Sequence, residues 1–127
     1  MFSHVMLGAD DIEAARRFYD AILGALGAAP GAIDERGRLV YSHAGSRFLI
    51  SSPIDGKAAH GANGGTLGFA ASSPEAVDAW HAAGVANGGT AIEDPPGPRD
   101  ATEGRRLYLA YLRDPAGNKL CALYRIA

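Results

Sequence analysis

The feature that most constrains this chain is that its second half repeats the plan of its first. Setting Thr66 on His4 places Thr66-Leu67-Gly68-Phe69 over His4-Val5-Met6-Leu7, Glu75-Ala76 over Glu13-Ala14, Trp80 over Phe18, and Gly88-Gly89 over Leu26-Gly27. Few residues are identical. What agrees is the helix entry, the apolar stripe of the helix and the phase of the strands. Two units of this size cannot each bury a sheet alone, so they should pair within one chain around a shared cleft.

Within the first unit, residues 2–7 alternate as a strand does, with Phe2, His4 and Met6 on one side and Ser3, Val5 and Leu7 on the other. Asp10 or Asp11 can cap the helix that follows, whose acidic start suits its dipole. Ile12, Ala15, Phe18, Tyr19, Ile22 and Leu26 form its apolar stripe, and Gly24 and Gly27 end it. Short strands are expected over 29–34, 39–44 and 47–51, so unit one spans 1–52. Residues 53–64, rich in Gly, Ala and Pro, read as a connector.

The second unit, 65–127, opens on a strand and then a helix with Ser73 as cap and Pro74 in its first position. Further strands are expected over 90–94, 107–113 and 119–126. Asp114-Pro115-Ala116-Gly117-Asn118 should reverse the chain between the last two, because Pro supplies no ladder donor while Gly and Asn accept positive φ. In the final strand Leu120, Ala122 and Tyr124 then share one face, and Cys121 and Leu123 the other. Residues 95–106, with three prolines and three arginines, read as a long mobile loop of the kind that covers a binding site.

One domain of 127 residues, 47% apolar and 20% charged, can bury a real core. Its net charge of −2, with the signs mixed, gives no basic stripe for nucleic acid and no polybasic membrane patch. A single Cys excludes an intramolecular disulfide, and no apolar run reaches membrane-spanning length. The expected setting is cytoplasmic and the expected partner a small molecule.

His in the first strand, the Gly65-Thr66-x-x-Phe69-Ala70-Ala71 segment opening the second half, and Arg113-Asp114-Pro115-Ala116-Gly117-Asn118-Lys119-Leu120 near the end together resemble the vicinal oxygen chelate superfamily. That group includes glyoxalase I, bleomycin and fosfomycin resistance proteins, and extradiol dioxygenases. The resemblance implies an α+β domain, residues 1–127, of two βαβββ modules forming a cup-shaped mixed sheet. It also implies a homodimer, since small members of the group often pair.

In metal-using members the cup holds a divalent ion, and carrying the ligand positions over puts them on His4, Thr66, Cys121 and Leu49. Only His4 is a usual ligand in its place. A hard ion would lose its carboxylate at Cys121, which argues against a dioxygenase, and zinc would find two protein donors at most, His4 and Cys121. No cofactor is therefore expected, with a divalent metal at His4 and Cys121 as the lesser alternative. The function expected is small-molecule binding at a degenerate metal site, of a sequestering or resistance type; the alternative is a metal-dependent lyase or isomerase of the glyoxalase type. A third reading makes the concave sheet chiefly a dimer platform.

Other cleft candidates follow from strand phase and from the resemblance. Arg47 is in phase with Leu49 and can meet an anion. Tyr108 and Tyr111 fall on opposite faces of one strand, and the resemblance favours Tyr108. Cys121 beside His4 would make a thiol and base pair, a nucleophile without a third group to orient it. His43 and His60 sit near turn or connector chemistry and can reach the mouth of the cup, while His81 should face outward; no ligand role falls to any of the three.

Overall fold

The computed structural model describes residues 1–127. In chain order the elements are β1 (Val5–Gly8), α1 (Ile12–Gly24), β2 (Ala32–Ile33), β3 (Leu39–His43), β4 (Ser46–Ser51), β5 (Leu67–Ala70), α2 (Pro74–Ala86), β6 (Thr90–Ala91), β7 (Gly97–Asp100), β8 (Arg106–Arg113) and β9 (Lys119–Arg125). A single 3₁₀ turn, Thr102–Gly104, joins β7 to β8.

Both helices begin where their caps place them. The Asp11 carboxylate accepts the Ala14 N–H at 2.9 Å, and the Ser73 hydroxyl accepts the Ala76 N–H at 3.1 Å. The first helix closes with Gly27 at φ +94°, its Leu23 carbonyl taken by the N–H groups of Leu26 and Ala28.

The two sheets have the same connectivity. One runs β1-β4-β3-β2 and the other β5-β9-β8-β6, each with a parallel first-to-last pairing and antiparallel hairpins beside it. The repeat seen in the sequence is thus a repeat of topology, in an α+β fold of two βαβββ units. In each unit the first strand is an unpaired edge.

One core of 16 buried residues unites the units. It takes Phe18, Tyr19 and Ile22 from α1, Val77 and Trp80 from α2, Tyr41, Phe48 and Ile50 from the first sheet, and Ala110, Leu112, Leu120 and Ala122 from the second. The helices lie against each other there. A Cβ on Gly84 of α2 would come within 2.3 Å of Leu112 and 3.1 Å of Ile22, so glycine is what permits the close approach. The Phe48 and Phe69 rings, 5.6 Å apart, join the sheets directly.

The Asp114–Asn118 turn locks this assembly. Asp114, 4% exposed, accepts the N–H groups of Ala116 and Asn118 on one oxygen, and the Tyr19 hydroxyl (2.5 Å) and Asn118 amide (2.9 Å) on the other. The Asn118 amide also donates to the Gly8 carbonyl at the end of β1. A turn in the second unit therefore holds the helix and first strand of the first.

Several expectations are corrected here. The first strand begins at Val5, so His4 precedes it, and the strands expected over 29–34 and 90–94 shrink to two residues each. Residues 95–106 are not a loop. They hold β7, which pairs with β8 from Gly97↔Leu109 to Asp100↔Arg106 and continues the edge that β6 starts. Pro95, Pro96 and Pro98 hid this strand, because proline is tolerated at an edge whose free side needs no donor.

Candidate functional site

Strand register fixes which side chains can meet. Val5 pairs with Phe48 and Leu67 with Leu120, all on the core side, which puts Met6, Leu49, Gly68, Cys121 and Tyr111 on the opposite faces. Thr66 and His4 lie just ahead of β5 and β1, in phase with that second set. Met6 is 43% exposed, whereas Leu49 and Cys121 are buried although they stand outside the main core.

The open edges of β1 and β5 face each other across a cavity of about 590 Å³, within the range of small-molecule sites. Its walls come from the start of β1, the end of α1, the β3–β4 hairpin and β5. Phe48, Phe69, Leu23 and Leu67 make them apolar. His4, His43, Arg47 and Thr66 supply the polar groups.

His4 and Thr66, from equivalent places in the two units, are thus brought to one cavity, and Arg47 joins them. Leu49 and Cys121 do not line it. Cys121 sits one strand behind, its sulfur 3.1 Å from where a Cβ on Gly68 would stand.

Tyr108 is also absent from the cavity, which corrects the expectation drawn for it. It lies on the core side opposite Tyr124 and donates to Asp78 of α2 at 2.8 Å, an acceptor that raises the phenol's pKa. Tyr111 is the tyrosine that shares the face of Cys121, with the Lys119 ammonium 5.1 Å from its ring centre. A strand of eight residues fixes the alternation but not which face meets the helices.

His43, given no role from sequence, lines the cavity beside Gly27. His60 is exposed and contacts the Gly61 carbonyl. His81 is half-buried rather than outward-facing, and burial lowers its pKa. The signal that could have found His43 is its position at the tip of the β3–β4 hairpin, where Ala44 and Gly45 both take positive φ and turn the tip tightly.

The donor chemistry does not fit a divalent ion. Of the four carried-over positions, Leu49 has no donor atom, Thr66 offers a neutral hydroxyl, and burial pushes the Cys121 thiol up, away from the thiolate that metals require. No three His, Cys, Asp or Glu side chains converge anywhere in the chain. The thiol and base pair is not formed either: His4 Nδ1 is 2.8 Å from the Ser3 hydroxyl, and no hydrogen bond links it to Cys121.

A repeated βαβββ unit, each with its first strand parallel to its last, and an Asp-Pro-x-Gly-Asn hairpin ahead of the final strand point to one family, and comparison with known proteins agrees. Residues 1–122 match the family model described as the Glyoxalase/Bleomycin resistance protein/Dioxygenase superfamily, and the chain belongs to that superfamily.

A solved glyoxalase/bleomycin resistance protein from Albidiferax ferrireducens T118 is 58% identical, with a TM-score of 0.94 over 98% of this chain and 99% of that one. Two more distant structures share the fold. One is a glyoxalase/bleomycin resistance protein/dioxygenase family enzyme from Burkholderia phytofirmans PsJN, 20% identical, with a TM-score of 0.69 over 95% of each chain. The other is a lactoylglutathione lyase from Agrobacterium tumefaciens, 22% identical, with a TM-score of 0.61 over 97% of this chain and 92% of that one. A comparison with curated proteins gave no match. No helix is long and apolar enough to cross a membrane.

Proposed function

We propose that this protein binds a small molecule between the first strands of its two units without the help of a divalent ion. The observation that carries the reading is the cavity itself. It gathers His4 and Thr66 against aromatic walls, while the remaining carried-over metal positions hold a buried leucine and a protonated thiol. Binding of this kind suits a sequestering or resistance-type role, in keeping with the 58% identical relative's name as a glyoxalase/bleomycin resistance protein.

Chelator-treated protein tests it. A ligand panel should raise its melting temperature, since a ligand at 100 times its Kd adds about 2.7 kcal/mol. The rival is a glyoxalase-type lyase or isomerase with a divalent ion at His4. Metal retained stoichiometrically through dialysis, and lost in His4→Ala, would replace our reading with that one.

A second reading concerns assembly. On the face of the first sheet opposite the core Met6 is exposed, and β1 and β5 are sheet edges with one side unpaired. A second copy of the chain would cover them, as a homodimer. Light scattering of the purified protein decides it: a monomer at micromolar concentration rules it out.

A further inference from the structure

The walls of the cavity carry charge of one sign only, and that pattern narrows the ligand. The chain has more acidic than basic residues, 14 against 12, yet no carboxylate lines the cavity. Arg47, His4 and His43 do. The four ion pairs of the protein use Arg16, Arg38, Arg106 and Lys119, so the Arg47 guanidinium has no carboxylate partner.

The end of α1, which also reaches the cavity, would repel an anion if its carbonyls were free. Most are not: those of Ala21, Leu23 and Gly24 accept the N–H groups of Ala25, Leu26, Gly27 and Ala28. Phe48 and Phe69 meet edge to face, and Leu23 and Leu67 line the cavity with them. The lining thus offers both flat apolar surface and a place for a negative charge.

We infer that the ligand is an amphipathic anion, an aromatic carboxylic acid whose ring lies against Phe48, Phe69 and Leu67 and whose carboxylate is held by the Arg47 guanidinium. The inference rests on the cavity being the binding site. Arg47 suits the task because a guanidinium stays charged at any physiological pH and presents a planar pair of donors that matches a carboxylate. The rings of His43 and His4 add further hydrogen-bonding groups.

Calorimetric titration of the full chain with 2-naphthylacetic acid, its neutral isostere 2-naphthylacetamide, and 2-naphthyl phosphate tests the assignment. The acid should bind at least tenfold more tightly than the amide, about 1.4 kcal/mol, and Arg47→Gln should reduce that ratio to threefold or less. Arg47 is exposed and unpaired, so this variant should melt within about 2 °C of the parent. Equal binding of acid and amide, or an undiminished ratio in Arg47→Gln, overturns the anion assignment alone. Tighter binding of the phosphate overturns the carboxylate. Binding of none of the three overturns both the assignment and the cavity reading beneath it.

Discussion

Removing the Tyr19 hydroxyl isolates the contact that ties the two units together. Tyr19 is buried, its ring stays against Phe18 and Phe48 (both 4.9 Å between centroids) in a Tyr19→Phe variant, and only the 2.5 Å hydrogen bond to Asp114 is lost. A hydrogen bond to a charged group contributes about 1.5–3 kcal/mol. Asp114 keeps three other donors, so the lower end applies, about 1.5–2 kcal/mol. Asp114→Ala is more severe, because it leaves the buried Tyr19 hydroxyl and the Asn118 backbone N–H without their acceptors; at about 1–3 kcal/mol each, the cost is about 2–6 kcal/mol. The sign of the coupling is the sharper test. In the Asp114→Ala background the same Tyr19→Phe change should cost nothing or restore stability, since it removes a donor that has no acceptor. Urea unfolding of the parent, both single variants and the double variant, with m-values compared, gives these differences directly. A Tyr19→Phe loss below about 0.5 kcal/mol, or an equal loss in both backgrounds, refutes the account of the turn as a clamp between units.

Other consequences are simpler to read. Burial is the main cause that raises the pKa values of Tyr19 and Tyr41, with the Asp114 and Asp20 carboxylates they donate to adding to it. Folded pKa values above the unfolded ones contribute stability below pH 10 that is lost as pH rises further, at about 1.4 kcal/mol per unit for each phenol. The protein should therefore unfold cooperatively in alkali, with these two phenols ionising only on unfolding; phenolate absorbance for all five tyrosines before circular dichroism is lost would contradict this. Gly84→Ala should destabilise by about 1–3 kcal/mol through overpacking at the helix contact, whereas Gly24→Ala, with nothing within 4 Å, should stabilise by about 0.5–1 kcal/mol; thermal melts of the pair check both signs. Cys121, buried and with its thiol pKa raised, should react with a thiol reagent only after denaturation, and stoichiometric labelling of native protein within seconds would show the thiol to be open.

Much of the site was legible, and the misses share one cause. Strand phase and the internal repeat, which need only a local pattern, grouped His4, Thr66 and Arg47 with Leu49 and Cys121; the structure brings the first three to one cavity that the other two do not line. Tyr108 and Tyr111 were separated correctly, but neither lines the cavity, and that Tyr108 turns to α2 depends on Asp78, thirty positions upstream. The strand over Gly97–Asp100 was missed because its prolines match a loop until an edge position excuses them. The turn beside His43 showed that it could reach the mouth of the cleft, but its place against the end of α1 is a product of packing between elements.

By itself the sequence determined two like units, two capped helices, the phase of each strand and the reversal at Asp114–Asn118, all set by interactions a few residues in range. Only the tertiary structure decided that both helices share one core, that the first strands of the two units stand apart over a cavity, and that Arg47 and His43 open onto it while Leu49 and Cys121 do not. These last facts turn on which surfaces exclude water together, and a chain reveals that only once its distant parts have met.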